Sequence, residues 1–256
     1  MPGHVVITGA SRGIGRALAL RFAARGNPLV LTARSRAELE SLADEILRNH
    51  GRESVIVASD LGTEQGVTDI EKACANLEVQ GLVNNAGFGT AGLFADCERG
   101  AERSMIRLNI EALTDLTHAL LPKLRGQKDA FIINVASTAA FQPVPLFATY
   151  SATKAFVLSL SEALANELAS EGIHVLALCP GVTETGFQAR ANVTAVGGAA
   201  TSDEVAAYGI AALDAKKRVA VHGAANALLA WSTRLAPRSL VVAMARKKME
   251  PWFTKR

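Results

Sequence analysis

Apolar residues recur along the chain in two alternating patterns. The short runs "HVVITGA", "PLVLTAR" and "ESVIVASDL" are rich in branched residues and read as strands. Between them, "GRALALRFAARG" and "AELESLADEILRNH" repeat at helical spacing. Gly26 closes the first of these, and Leu39, Leu42, Ile46 and Leu47 form one face of the second. The same order predicts a helix over 64–77, strand "GLVNNAG", a helix over 101–124, strand "DAFIINVAS", a helix over 151–170, strand "IHVLALCPG" and a last strand in "KRVAVHG". Strands separated by helices imply a parallel sheet covered on both faces. Right-handed crossovers then favour a three-layer, doubly wound α/β fold of about seven strands, with ligands at the carboxyl ends of the strands. Residues 1–256 are expected to form one such domain. The alternation weakens after residue 186, so 187–216 is expected to be an insertion over the active edge, with Thr201 and Glu204 spaced for a capping box.

Composition narrows the class. Hydrophobic residues make up 49% and charged residues 20%, enough apolar material for a large core. A net charge of +3 is too small to argue for nucleic acid. Cys74, Cys97 and Cys179 are scattered, with no CxxC spacing, which argues against a disulfide framework and a zinc site. Cys179 sits in an apolar run and reads as a buried small hydrophobe. The five histidines show no ligand spacing, so no metal is expected. "MPGHVVITGA" lacks the regions of a signal peptide, and the longest apolar stretch, "ALLAWSTRLAPRSLVVAMA", is broken by Arg234, Pro237 and Arg238. A cytoplasmic protein without a membrane span is expected. The basic tail "ARKKMEPWFTKR" could meet an anionic membrane surface, but a solvated or subunit-packing end is the favoured reading.

"TGASRGIG", Thr8 to Gly15, follows the first strand directly. Gly9, Gly13 and Gly15 allow a tight turn and close approach of a pyrophosphate to a helix N-terminus, where free N–H groups and the helix dipole favour anions. A strand, this loop and a helix at the head of an alternating chain is the context of a Rossmann-type dinucleotide site. The end of the second strand reads "LTARSR", with no carboxylate before Glu38 to accept from a ribose 2′-hydroxyl. Arg34 and Arg12 instead form a guanidinium pair suited to a 2′-phosphate, which favours NADP over NAD. In "TYSATKAFVLS", Tyr150 and Lys154 stand at i and i+4 on one helix face. A neighbouring ammonium is expected to lower the phenol's pKa, and the pair could then exchange a proton with a carbinol oxygen.

Taken together, the chain resembles the short-chain dehydrogenase/reductase family over about residues 3 to 190. The resemblance rests on "TGASRGIG", "NNAG" at 84–87, Asn109 in "MIRLNI", Ser137 in "INVAS", "YSATK" at 150–154 and "PG" at 180–181. It implies that Tyr150 is the general acid/base and that Lys154 lowers its pKa and bonds the nicotinamide ribose. Ser137 would hold the substrate oxygen, and Asn109 would bind water that links Lys154 to solvent. For the cofactor it implies Ser11, Arg12 and Ile14 beside the three glycines. Asp60 and Leu61 would meet the adenine, with Asn85, Ala86 and Gly87 near its ribose. Pro180, Gly181, Thr183 and Thr185 would hold the carboxamide. Thr183 departs from the branched apolar residue common at that place in the family. The expected activity is reversible hydride transfer between NADP(H) and a carbonyl/alcohol pair, in a homodimer or homotetramer paired through helices 101–124 and 151–170.

"TAAFQPVPLFAT" should line the substrate pocket through Phe141, Val144, Leu146 and Phe147, joined by Phe88, Phe94 and Phe187, although several of these could equally pack core. A largely apolar ketone or aldehyde fits that lining. Three other readings remain: an alcohol or hydroxysteroid dehydrogenase acting oxidatively, a dinucleotide-sensing protein without catalysis, and an interaction protein using the basic tail and the 187–216 insertion with the nucleotide as structural glue.

Overall fold

The computed structural model describes residues 2–187, 191 and 198–252. Six helices or helical segments alternate with six strands over the first two thirds of the chain. They are β1 (His4–Thr8), α1 (Gly13–Ala24), β2 (Leu29–Ala33), α2 (Arg36–His50), β3 (Ser54–Ala58), α3 (Glu64–Ala73), β4 (Val79–Asn84), α4 (Arg99–Ile106), α5 (Ala112–Leu124), β5 (Phe131–Val135), α6 (Ala148–Glu167) and β6 (His174–Cys179). A two-residue parallel bridge, β7 (Thr183–Glu184) with β8 (Ala200–Thr201), leads into α7 (Ser202–Asp214). Strand β9 (Val219–Val221), α8 (Ala224–Ser232) and α9 (Arg238–Met249) follow.

The main sheet has seven strands in the order β3-β2-β1-β4-β5-β6-β9, all paired in parallel. This is the doubly wound α/β class that the alternation predicts. Alternate residues of each strand face opposite layers. Val5, Ile7, Leu29 and Leu31 pack toward α1, α2 and α7 through Leu18, Phe22, Leu39, Leu42, Val205 and Leu213. Val6, Val30, Leu82 and Ile132 pack the other way, with Ile70, Leu116, Leu120 and Ala165 of α3, α5 and α6. Burial on both faces is why these strands read as unbroken apolar runs.

The differences from the sequence-based expectation have local causes. Leu47 is exposed while Leu39, Leu42 and Ile46 are fully buried, because the helix turns its edge to solvent there. The helix expected over 101–124 is interrupted by a π-helical segment, Arg107–Glu111, centred on Asn109. Residues 202–214, within the expected insertion and starting at the expected Thr201–Glu204 capping box, form α7, which packs on the face shared with α1. The remainder of that expected insertion, 188–190 and 192–197, lies outside the described residues. No described helix is long and apolar enough to cross a membrane.

Candidate active site

Strands β2 and β3 run off one side of β1, whereas β4, β5, β6 and β9 run off the other. The crossovers therefore leave the β1/β4 junction in opposite directions, opening a crevice at the carboxyl ends of the strands. A cleft of about 1190 Å³ occupies it. Of the positions expected to bind a dinucleotide, all but Gly15 line this cleft.

Gly15 lies behind the wall. A Cβ there would stand 2.4 Å from both Asn85 Nδ2 and the Gly9 carbonyl, so only glycine lets the loop close on β4. Asn85 fastens that loop, donating through Nδ2 to the carbonyls of Thr8 (2.9 Å) and Gly9 (3.1 Å). In return the Thr8 hydroxyl accepts from the backbone N–H groups of Asn85 and Ala86, both at 2.9 Å. Helix α1 starts from this anchored loop with no side-chain cap and no acidic residue in its first turn. Its leading N–H groups and positive dipole end face the cleft without an internal anion. After β6 the chain runs over the loop, and Thr185 reaches to within 3.1 Å of where a Gly13 Cβ would sit. An uncapped helix start, a glycine floor and an overlying strap fit a dinucleotide pyrophosphate.

The nucleotide end holds a residue that the sequence reading set aside. Arg34 is exposed and lines the cleft, but Arg12 donates to Glu38 Oε1 at 2.5 Å. Glu38 also lines the cleft, so the expected arginine pair is a group of two cations and one carboxylate. Asp60 accepts from the Gly62 N–H at 2.9 Å in a tight turn, and Leu61 is buried beside it.

At the other end, Tyr150 and Lys154 of α6 meet Ser137, which stands just past β5. Ser137 is fixed because its hydroxyl accepts from the Ala139 N–H at 3.1 Å and the neighbouring Thr138 N–H donates to Pro180. Burial pushes the Tyr150 phenol up to about 12, and the hydrogen bond from Ser137 opposes that rise only in part. Desolvation dominates the shift, and the Lys154 Nζ lies 6.0 Å from the ring centroid. Lys154 Nζ donates to the Val135 carbonyl at 2.7 Å, and burial brings its own pKa down to about 8. Cys179, fully buried nearby, has its thiol pushed up to about 12 by burial, as a structural cysteine should.

Asn109 does not line the cleft. From the π-helical segment it donates to the Phe88 carbonyl (2.9 Å) and to Thr153 Oγ1 (3.0 Å), and it accepts from the Phe88 N–H (3.1 Å). Its amide thus ties the loop after β4 to α6. Gly87 lies between Asn109 and Lys154: a Cβ there would stand 2.9 Å from Asn109 Oδ1 and 3.6 Å from Lys154 Nζ.

Aromatic and aliphatic side chains surround the phenol. Phe187 lies over Tyr150 at 5.1 Å between centroids, and Phe147 meets it edge-on at 6.1 Å. Phe88 and Val144 line the cleft as expected. Phe141 packs into the core beside Ala140 and Val157, while Phe94 is largely exposed; neither of these, nor Leu146, lines the cleft. In their place Val241, Met244 and Met249 of α9 close the wall, with the cations Arg107 and Lys248 also lining it. Gln142 lines it too, with its buried Oε1 unpaired among the described groups. Among the described residues there is no cluster suited to a metal ion.

This geometry places the chain in a known group, and the comparisons agree. The family model described as short chain dehydrogenase matches residues 3–195. The chain belongs to the short-chain dehydrogenase/reductase family, a family of oxidoreductases. It is 35% identical over 181 residues to a very-long-chain 3-oxoacyl-CoA reductase of Anas platyrhynchos, covering 68% of this chain and 58% of that protein. It thus spans well under two thirds of that relative's length. Among solved structures, a short-chain dehydrogenase from Sphingobium yanoikuyae in complex with NADPH superposes with a TM-score of 0.84 at 33% identity, over 92% of this chain and 94% of that one. A bulky-bulky ketone specific alcohol dehydrogenase from Comamonas testosteroni superposes with a TM-score of 0.79 at 29% identity, over 91% and 92% of the two chains.

Replacing Asn109 by Ala should remove the bonds it makes to the Phe88 N–H and carbonyl, while the Thr153 hydroxyl keeps its bond to the Tyr150 carbonyl. At about 1–3 kcal/mol for each buried group left unpaired, the loss is expected as a clear drop in thermal midpoint. A differential scanning measurement showing an unchanged midpoint would mean that Asn109 braces nothing.

Proposed function

We propose that this chain is an NADP(H)-dependent oxidoreductase that interconverts a largely apolar ketone or aldehyde and its alcohol. The observation that carries this reading is the Tyr150 phenol beside Ser137 and Lys154 in the same cleft as the uncapped start of α1. One end of the cleft suits a pyrophosphate and the other suits a reacting carbonyl oxygen. When bound, the cofactor supplies the hydride from its nicotinamide ring.

The chain supplies alignment and a proton. Ser137 and Tyr150 hydrogen-bond the carbonyl oxygen, and Tyr150 releases its proton as negative charge develops there. A phenol held near 12 is protonated throughout the physiological range, which is the form that reduction requires. Lys154, when charged, stabilises the phenolate left behind and bonds the nicotinamide ribose. Asn109 acts as a positioning residue, tying the Phe88 backbone to Thr153, the residue before Lys154. Phe187 and Phe147 shield the proton transfer from water.

NADP preference rests on Arg34, exposed at the end of β2 with no carboxylate on that strand end. Arg12 would leave Glu38 to join it on a 2′-phosphate. The NADPH complex of the similar Sphingobium protein supports this choice. An apolar substrate is supported by Val144, Phe147, Phe187, Val241 and Met249, and by the similarity to a bulky-ketone dehydrogenase.

A panel of carbonyl compounds and alcohols, followed by the absorbance of the reduced nicotinamide, should give turnover with aryl or long-chain ketones and NADPH. Arg34→Ala should weaken NADPH binding roughly tenfold or more, the worth of a charge-assisted hydrogen bond, and leave NADH binding unchanged. Equal loss for both nucleotides, or turnover confined to highly charged substrates, would overturn the respective assignment. The pH profile offers a separate check. For reduction, kcat/KM reports the free enzyme and needs Tyr150 protonated and Lys154 charged. Tyr150 holds its proton to about 12, so the limb comes from Lys154: activity should be full at low pH and fall as pH rises through about 8. A rate that climbs through that region contradicts the assigned roles.

A further inference from the structure

The last two helices are unlike the others. Helix α9 has no buried residue along its 12 positions, and α8 buries only Ala230. Yet they and the turn between them carry Leu228 (68% exposed), Trp231 (60%) and Leu235 (70%), with Leu240 and Met244 exposed beyond. On α9 the helical spacing separates two faces. Val241, Met244, Ala245, Lys248 and Met249 line the cleft, with Met244 exposed at its rim, while Leu240 and Lys247 fall on the outward side. Large apolar side chains on an exposed helix pair mark an interaction surface.

Charge identifies what covers it. Residues 1–214 contain 17 Lys and Arg against 23 Asp and Glu, whereas 215–256 contain 10 against 1. The one acid in that terminal part, Glu250, accepts from Arg246 at 3.0 Å. Arg234, Arg238 and Lys247 therefore accompany the exposed apolar residues on a chain whose remainder is acidic. We infer that the α8–α9 face docks on an anionic lipid surface, with Trp231, Leu235 and Leu240 entering the headgroup boundary and the cations meeting lipid phosphates and carboxylates. A second copy fits less well, because two-fold pairing would bring the same cations together. Nucleic acid would satisfy the charge and leave the apolar row in water. Since α9 also walls the cleft, docking places the substrate mouth against the bilayer. That last step rests on the apolar-substrate reading, whereas the docking itself does not.

The test uses the full chain with vesicles of phosphatidylcholine alone or with about 30% phosphatidylserine. Co-sedimentation should be at least roughly tenfold stronger on the anionic vesicles and should weaken as salt screens the surface. In a Trp252→Phe background, Trp231 emission should shift to the blue. Arg238→Glu with Lys247→Glu, and separately Leu235→Ser with Leu240→Ser, should each abolish binding, whereas Arg99→Glu on α4 should not. NADPH binding checks that each variant is folded. Equal or absent binding to the two vesicle types overturns the inference. So does tRNA binding without the Trp231 shift. A dimer that dissociates in the Leu235→Ser, Leu240→Ser variant, read by sedimentation velocity, would assign the face to a second copy and also overturn it. If vesicle binding holds while the carbonyl panel fails, only the substrate reading falls.

Discussion

The reversal of strand order between β1 and β4 is the constraint on which the molecule depends. Two parallel strands whose successors depart in opposite directions cannot have their carboxyl ends covered by the same crossover. The gap must be closed by something other than packing, and here Thr8 and Asn85 close it with four hydrogen bonds across the junction. Those bonds draw the glycine loop down onto β4 and aim the start of α1 into the crevice. Everything placed at the edge afterwards, from Ser137 past β5 to the strap after β6, takes its position from that joint.

Behind the joint the protein accepts polar groups in its interior to hold the reactive ones in place. Asn84 donates to Thr117 and to Asn134, and Asn134 donates to Ser161, each at 2.9 Å. This buried chain ties α5, β4, β5 and α6 together at the level of the cleft floor. Dispersion alone would let those elements slide by fractions of an ångström, whereas directional bonds between buried partners specify one arrangement. The same desolvation explains the titration behaviour. Moving a phenol and an ammonium out of water raises the first and lowers the second, so both drift toward their neutral forms. The apolar wall around the two side chains is the cause of both shifts.

Much of this was legible in the sequence because it depends on short-range pattern. The strands read as apolar runs since the sheet is covered twice, and the glycine spacing with Tyr150 and Lys154 one turn apart is local by nature. What escaped notice depends on contacts between distant segments. Glu38 was noticed only as a carboxylate too late in the chain to face a ribose, yet one helical turn brings it back to Arg12. Phe141, Leu146 and Phe94 share a composition with Phe147 and Val144, and only the backbone path decides which enter the cleft. Leu146, for instance, sits at φ +70°. The contribution of Val241, Met244 and Met249 follows from the fold-back of α9, which no periodicity announces. The Tyr150 shift comes from burial, of which i,i+4 spacing to a cation carries no trace.

In the proposed reaction the Tyr150 hydroxyl delivers the proton to the substrate oxygen. Removing that single atom in Tyr150→Phe keeps the ring that Phe187 and Phe147 pack against, so the cleft should survive. Single-turnover mixing of this variant with NADPH and a ketone that the parent protein reduces tests the claim directly. Nucleotide affinity should be retained while hydride loss at 340 nm falls by at least roughly a hundredfold, the low end of general acid catalysis. Oxidation of NADPH at the parent rate would contradict the claim.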